Sequence, residues 1–314
     1  MSLSFSPQDL KGDVYFKKDF VALHARHGHC GVFERDFVNA VSIVPIAHSE
    51  RVDVETAWGY GGPLIASSNN VRDNLRFWAQ RLREEVKPVA EFVRFHPFLN
   101  VGSFVDYFDM LTYNRHVILV DLQRSRDERW RSYSDSTKNC IRKASKTLKI
   151  QRLGPNDGAL FQDLYEVGLE RNAATENYFF EPDFYTRLLG SSWASAWLAS
   201  DDNGAAAVAC FLHGDAPICH YHLAGGNALS RRANAHYLLL ESAFVEYAEL
   251  GYRYMCLGGG RTTDATDPLL CFKKKFSQLS LPYYVGGNIY DLEAYGRLGG
   301  GISRFLCAGG LAGS

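Results

Sequence analysis

The chain has 314 residues, 46% apolar and 13% aromatic, and a formal net charge of −1. That composition supplies two ordinary hydrophobic cores and excludes a disordered chain, while near-neutrality excludes a global field drawing DNA or a membrane to the whole surface. Any anion-binding surface must be local, and no DNA partner is expected.

At the N-terminus, MSLSFSPQDLKGDVYF lacks the charged-then-apolar order of a secretion signal, and no apolar run approaches the ~18 residues of a membrane span. The reading is a cytoplasmic protein with at most peripheral membrane contact. The cysteines (Cys30, Cys140, Cys210, Cys219, Cys256, Cys271, Cys307) are odd in number, lack a CxxC pair and read as reduced thiols. His24, His27, His29 and Cys30 invite a metal reading, but their spacing fits no closed zinc pattern and no second cluster adds ligands, so no metal is expected.

Further along, WGYGGPL (58–64) sets two aromatic rings ahead of a forced turn; it is either a structural turn or a ligand wall containing Tyr60. Val71, Leu75, Trp78, Leu82 and Val86 share one helical face, with Asn70 placed as cap and Pro88 beyond the end. Residues 91–95 and 116–122 read as strands, with Arg94 and His96 on one side of the first. A long helix is expected from Arg126 to about Lys149. Within 124–152, ten basic residues face only Asp127, Glu128 and Asp135. This is either an ordinary solvated face or a polyanion-docking surface, densest at KNCIRKASK with Arg142, Lys143 and Lys146.

A second cycle follows: helices over 156–172 and 182–189, strands over 194–199, 206–213 and 218–223, the last two forming a hairpin through Gly214-Asp215-Ala216-Pro217. His220 and His222 fall on one strand face, opposite Tyr221. In the next helix, 234–250, Leu239, Ala243, Tyr247 and Leu250 form the expected buried stripe, closed by Gly251. Residues 254–257 read as a strand, and Asp267-Pro268 open a short helix bearing FKKKF. Three successive lysines diverge by about 100° each, so at least one points away from the others. Lys273, after a Phe272 expected to be buried, is the candidate to face a cleft and stabilise an oxyanion.

No GxGxxG or GxxxxGK[ST] motif is present, which argues against a Rossmann or P-loop nucleotide site. Where a coenzyme A loop would fall, the chain reads RRANAH (231–236); Asn234 and His236 replace the small residues that let backbone approach a pyrophosphate. The helix–strand cycles place a domain boundary near residue 150.

Taken in order, WGYGGPL, RFHPF, KNCIRKASK, HYHLAGG, the helix ending in ELGY, CLGGG and FKKKF resemble the Fem family of non-ribosomal peptidyl transferases and their GNAT-like relatives, over roughly residues 50–285. The resemblance implies an α/β (α+β) chain with two tandem GNAT-like acyltransferase domains, each a mixed, mostly antiparallel sheet flanked by helices. The first would span 1–150, completed by 282–298, the second 151–281, with a poorly ordered glycine-rich tail at 299–314. It also implies transfer of an aminoacyl or acyl group from aminoacyl-tRNA or acyl-CoA, with no tightly bound cofactor, to an amine of a cell-wall or surface-glycan precursor. Phe272 and Lys273 are similar to the family's Phe-Lys pair beside the reacting groups. Arg171 with Tyr178 resembles the segment that holds the acceptor's pyrophosphate, and Tyr221 an aromatic of the acceptor groove; Tyr60, Arg94 and His222 complete the candidate binding set. The chain lacks the long helical arm of many bridge-forming members, which opens two alternatives: an acyl-CoA-dependent N-acyltransferase and a non-catalytic RNA-binding protein.

Overall fold

The computed structural model describes residues 5–67, 70–202 and 204–298; the tail expected at 299–314 lies outside them. In chain order the first elements are α1 (Pro7–Lys11), α2 (Lys18–His24), β1 (His29–Phe33), β2 (Phe37–Pro45), β3 (Val52–Glu55), β4 (Leu64–Ile65), α3 (Val71–Arg81), β5 (Ala90–Arg94) and β6 (Met110–Asp121). Next come α4 (Arg126–Ser132), α5 (Asp135–Thr147), β7 (Lys149–Leu153), α6 (Gly158–Arg171), α7 (Pro182–Leu189), β8 (Ala194–Asp201), β9 (Gly204–Leu212), β10 (Ile218–Gly226), α8 (Ala228–Arg232), α9 (Ala235–Glu249), β11 (Tyr254–Gly258) and α10 (Pro268–Lys274). The described chain closes with β12 (Ser280–Ile289) and α11 (Leu292–Arg297).

Two compact units result. Among the described residues the first takes those within 5–117, 261–264 and 281–298, the second those within 118–260 and 265–280. The division thus falls at Val117/Ile118 rather than near residue 150. The reason is side-chain packing: Tyr133, Ile141, Ala144 and Leu148, before the expected boundary, bury with Leu239, Ala243 and Phe244 of α9 in one core.

In the first unit β1 and β2 pair antiparallel, β2 also holds β3 and β4, β3 runs parallel to β5, and β12 pairs antiparallel with β5. Its core gathers Val54, Trp78, Leu82, Val93, Phe95 and Phe104. Glu91 is buried there, accepting from Trp78 Nε1 at 2.8 Å, Tyr290 Oη at 2.9 Å and Asn288 Nδ2 at 3.1 Å. Burial pushes its carboxyl above the usual range, and the three donors pull back against that. Asn70 makes no side-chain cap; its carbonyl instead accepts from Asn74 Nδ2 at 2.9 Å.

In the second unit the end of β6 pairs with β11, β11 runs parallel to β10, and β9, β8 and β7 follow antiparallel. Helices α5 and α9 cover one face through Trp197, Ala207, Phe211, Met255 and Leu257. The helix expected from Arg126 to Lys149 is two. Ser125 and Ser134 each accept a backbone N–H three residues on, and Tyr133 between them takes an extended backbone (φ −73°, ψ 145°). That turn buries the Tyr133 ring and lets its hydroxyl donate to Glu241 at 3.0 Å. In α9, Leu239, Ala243 and Tyr247 are buried as the stripe predicts, but Leu250 is 63% exposed because the helix ends at Glu249, one residue short of it.

The six described cysteines carry free thiols, with Cys30, Cys210, Cys219 and Cys256 buried. No described helix is long and apolar enough to cross a membrane.

Candidate functional site

The second unit contains a built-in separation of two strands. Strands β10 and β11 share a register only over Ile218↔Tyr254, Cys219↔Met255 and His220↔Cys256. Just past that point each carries a one-residue bulge: between Tyr221 and Leu223 against β9, and between Cys256 and Gly258 against β6. A bulge bends its strand and increases its twist, and two at the same level on adjacent strands turn them apart. Beyond His220, β10 follows β9 to Gly226, and its other edge presents main-chain groups that an extended ligand can pair with.

The bulge also corrects the simple alternation. His220, Tyr221 and Leu223 oppose Leu212, Phe211 and Cys210, so His222 is the extra residue rather than a regular face-mate of His220. Tyr221 packs on the α9 side against Phe211, ring centroids 5.7 Å apart, and burial raises its phenol well above the ordinary range.

The glycines of HYHLAGG have a steric reason. A Cβ on Gly225 would lie 2.3 Å from Tyr165 Cα and 2.4 Å from Leu164 O, so only glycine lets α6 cross the end of β10. Arg171, at the end of α6, donates from Nη1 to Gly226 O at 2.9 Å, and its charge lowers the pKa of His236 in the first turn of α9. Burial is the larger cause, and together they bring His236 down to about 4. Its Nδ1 is buried with no hydrogen-bond partner. Asn234, just ahead of α9, holds φ +59° and ψ +36° with no side-chain cap. Asparagine is among the few residues that tolerate this left-handed conformation, so it keeps a turn that glycine would otherwise serve. Its presence is therefore no backbone obstacle to an anion at the start of α9.

At the far end of β11 the glycine triplet meets α10. Gly258 adopts φ +74°. A Cβ on Gly260 would sit 2.6 Å from Asp267 Oδ1, the atom that caps α10 by accepting from Leu269 N and Leu270 N. The same loop offers its Gly259 carbonyl to Lys273 Nζ at 2.6 Å. Of the three lysines Lys273 is the buried one, 7% exposed; Lys274 is intermediate and Lys275 exposed. Phe272, expected to be buried, is only partly so, because its position on α10 turns it toward Tyr237, ring centroids 5.1 Å apart and perpendicular.

The other candidates are distributed. Arg142, Lys143 and Lys146 are exposed on α5, with the Arg142 guanidinium 5.3 Å from the Trp130 ring centroid. Tyr178 is half-buried in a short turn after α6. In the first unit Tyr60 packs edge-on against Tyr15 (5.2 Å) and Tyr283 (5.4 Å). There too Arg94 is buried, donating to Glu55 Oε2 at 2.8 Å and Thr56 O at 2.9 Å, an arrangement that ties β5 to the end of β3. His24 donates from Nδ1 to Phe20 O at 3.0 Å, and burial lowers its pKa to about 4. Sequence reasoning missed the paired bulges, the Gly259 carbonyl and the Gly225–α6 crossing; only the double glycine of HYHLAGG signalled the last.

No sequence-family profile matches the chain, and no curated protein matches it in sequence. Solved structures do match in shape. FemX superimposes with a TM-score of 0.70 at 12% identity, covering 95% of this chain and 99% of that one. The fold is of the Fem type. A C-terminal domain assigned to a lysylphosphatidylglycerol synthetase of Agrobacterium fabrum matches with a TM-score of 0.62 at 14% identity, covering 97% of this chain and 96% of that one. The L-PGS of Bacillus licheniformis matches at 0.60 and 11% identity, covering 98% and 97%. This architecture of mixed, mostly antiparallel sheets flanked by helices, shared with FemX, is the one that the motif order resembles.

Proposed function

We propose that the protein is an acyltransferase of Fem type, moving an aminoacyl or acyl group from an activated ester to an amine of a cell-wall or surface-glycan precursor. The observation that carries this reading is Lys273: a buried ammonium, fixed on the Gly259 carbonyl at the end of β11, in the unit where β10 and β11 separate. In the reaction a neutral amine nitrogen attacks the donor's carbonyl carbon, the carbonyl oxygen takes up negative charge, and the bond to the leaving group breaks as the nitrogen's proton is passed on. A preorganised cation in a water-poor site stabilises that oxygen without reorganisation. The open edge of β10 holds an extended substrate, and Arg171 beside the start of α9 provides positive charge for a phosphate-bearing part of it.

The exposed Arg142, Lys143 and Lys146 on α5 favour aminoacyl-tRNA as donor, bound electrostatically and released by salt. The left-handed Asn234 supports the second reading, acyl-CoA as donor. Names among the matching structures refer to lysylphosphatidylglycerol synthesis, so a lipid acceptor belongs beside cell-wall amines in any assay. A cytoplasmic enzyme reaching a lipid-linked acceptor from the inner membrane surface fits this chemistry.

The test offers labelled aminoacyl-tRNA and, separately, labelled acetyl-CoA, with muropeptide, amino-sugar and phosphatidylglycerol acceptors. Transfer from one donor identifies the class. Lys273→Ala should reduce turnover about 10²–10³-fold, the typical loss on removing an oxyanion donor. A folded Lys273→Ala protein working at full rate removes that role. Salt-sensitive tRNA binding that survives the substitution, with no transfer from either donor, would instead establish a non-catalytic RNA-binding protein.

A further inference from the structure

A second feature of the same unit is left unused by this chemistry. A hollow of about 370 Å³ lies between the end of β6, helix α4 and the segment leaving α10. Its lining brings together Arg124, Arg129, Lys274 and Lys275, with Asp121 as the single carboxylate. Asp121 is engaged locally, its Oδ1 accepting from Gln123 N at 3.0 Å.

Arg129 shows that the cluster is more than solvated surface. It is 4% exposed, and its terminal nitrogens donate to three main-chain carbonyls, of Leu122, Arg124 and Phe244. Carbonyls orient a guanidinium but do not neutralise it, and its Nε is buried with no acceptor. Glu241 interacts with it electrostatically from the protein side; burial raises the pKa of that carboxyl, and the Tyr133 hydroxyl, Arg126 (3.6 Å) and Arg129 oppose the shift, so Glu241 is shared among several donors. Lys275 donates to Tyr237 Oη at 2.8 Å, again a neutral acceptor. Glu128 acts on Arg124, but the lining itself sets four cations against the single carboxylate of Asp121; like charges converging there repel one another, and burying one of them raises that cost. An anion in the hollow relieves both.

We infer that this hollow is a binding site for a phosphate group, held by Arg124, Lys274 and Lys275 at its rim against the fixed charge of Arg129. Tetrahedral phosphate suits the arrangement, since it accepts several charge-assisted hydrogen bonds at once from guanidinium and ammonium donors approaching from different sides. The volume is several times the ~30 Å³ a water molecule occupies, so the anion enters with part of its hydration. Neither acyl transfer nor the identity of its donor is assumed, because phosphate binding is measurable on the protein alone.

The experiment is a calorimetric titration of the full chain with inorganic phosphate in a chloride buffer, repeated with a short single-stranded RNA and with AMP. Wild type should bind phosphate saturably. Arg124→Ser/Lys274→Ser should weaken it by roughly tenfold per lost charge-assisted hydrogen bond. Arg129 is left intact because its carbonyl contacts hold the turn into α4. Lys149→Ser/Arg187→Ser removes the same charge from β7 and α7 and should bind as wild type does. RNA that displaces phosphate and loses affinity in the pocket variant identifies a phosphodiester strand as the source; AMP or free phosphate binding alone identifies a small phosphate ligand. The inference is overturned if wild type shows no saturable binding, if the pocket variant binds unchanged, or if the control variant loses as much.

Discussion

Replacing Gly225 by alanine tests the construction of the cleft without any substrate. The added Cβ would stand 2.3 Å from Tyr165 Cα and 2.4 Å from Leu164 O, where ordinary contact begins at 3.4 Å. Both neighbours are helix backbone, so no side chain can rotate away; α6 itself must retreat by about 1 Å from a close-packed interface. Overpacking of this kind costs typically 1–3 kcal/mol, and a backbone clash belongs at the upper end. Retreat of α6 also stretches the Arg171–Gly226 bond, adding about 0.5–1.5 kcal/mol. A total of roughly 3–4 kcal/mol corresponds to a fall in Tm of about 6–16 °C for a unit of this size. Gly154→Ala is the matched control: a Cβ there meets nothing within 4 Å. Thermal and urea unfolding of the two variants against wild type provide the measurement. Equal stability of Gly225→Ala and Gly154→Ala would refute the claim that α6 crosses β10 this closely.

Asn234→Gly should leave stability unchanged or slightly raised, whereas Asn234→Ala should lose about 1 kcal/mol, because φ +59° penalises a Cβ without a compensating polar side chain; urea midpoints distinguish them. His236 should make the fold acid-sensitive. Its folded pKa lies near 4 against 6.5 in the unfolded chain, so below pH 6.5 the unfolded state takes up the proton first and stability declines until about pH 4. His236→Gln should show a smaller loss between pH 7.5 and 5 in chemical denaturation, and an identical loss would show that the imidazole titrates normally.

Part of this architecture is legible locally. The periodicity of α6, α7 and α9, the hairpin of β9 and β10, and the Asp267-Pro268 start of α10 all follow from which residues must face a core and which atoms must cap a helix end. The first unit's strands are less visible: β1 and β3 are short and half-buried, and the pairing of β5 beside β3 is completed by β12, far along the chain. Lys273 could be singled out from the order of motifs, yet nothing in three consecutive lysines says which one is buried; the position of the Gly259 carbonyl decides it.

From α6 to α10, short α8 apart, the sequence alone determined the type and order of the second unit's elements, because a helix or strand is specified by its own apolar spacing and caps. The tertiary structure decided everything that depends on distant residues meeting. Tyr133 breaks the basic helix in two for the sake of Glu241, 108 residues away. The two bulges that separate β10 from β11 exist only against β9 and β6. Arg124 and Lys274, each an ordinary surface cation by sequence, share a hollow because folding brings α4 against the exit of α10. Local rules carry no record of such encounters, since the energy that selects them arises only when the surfaces touch.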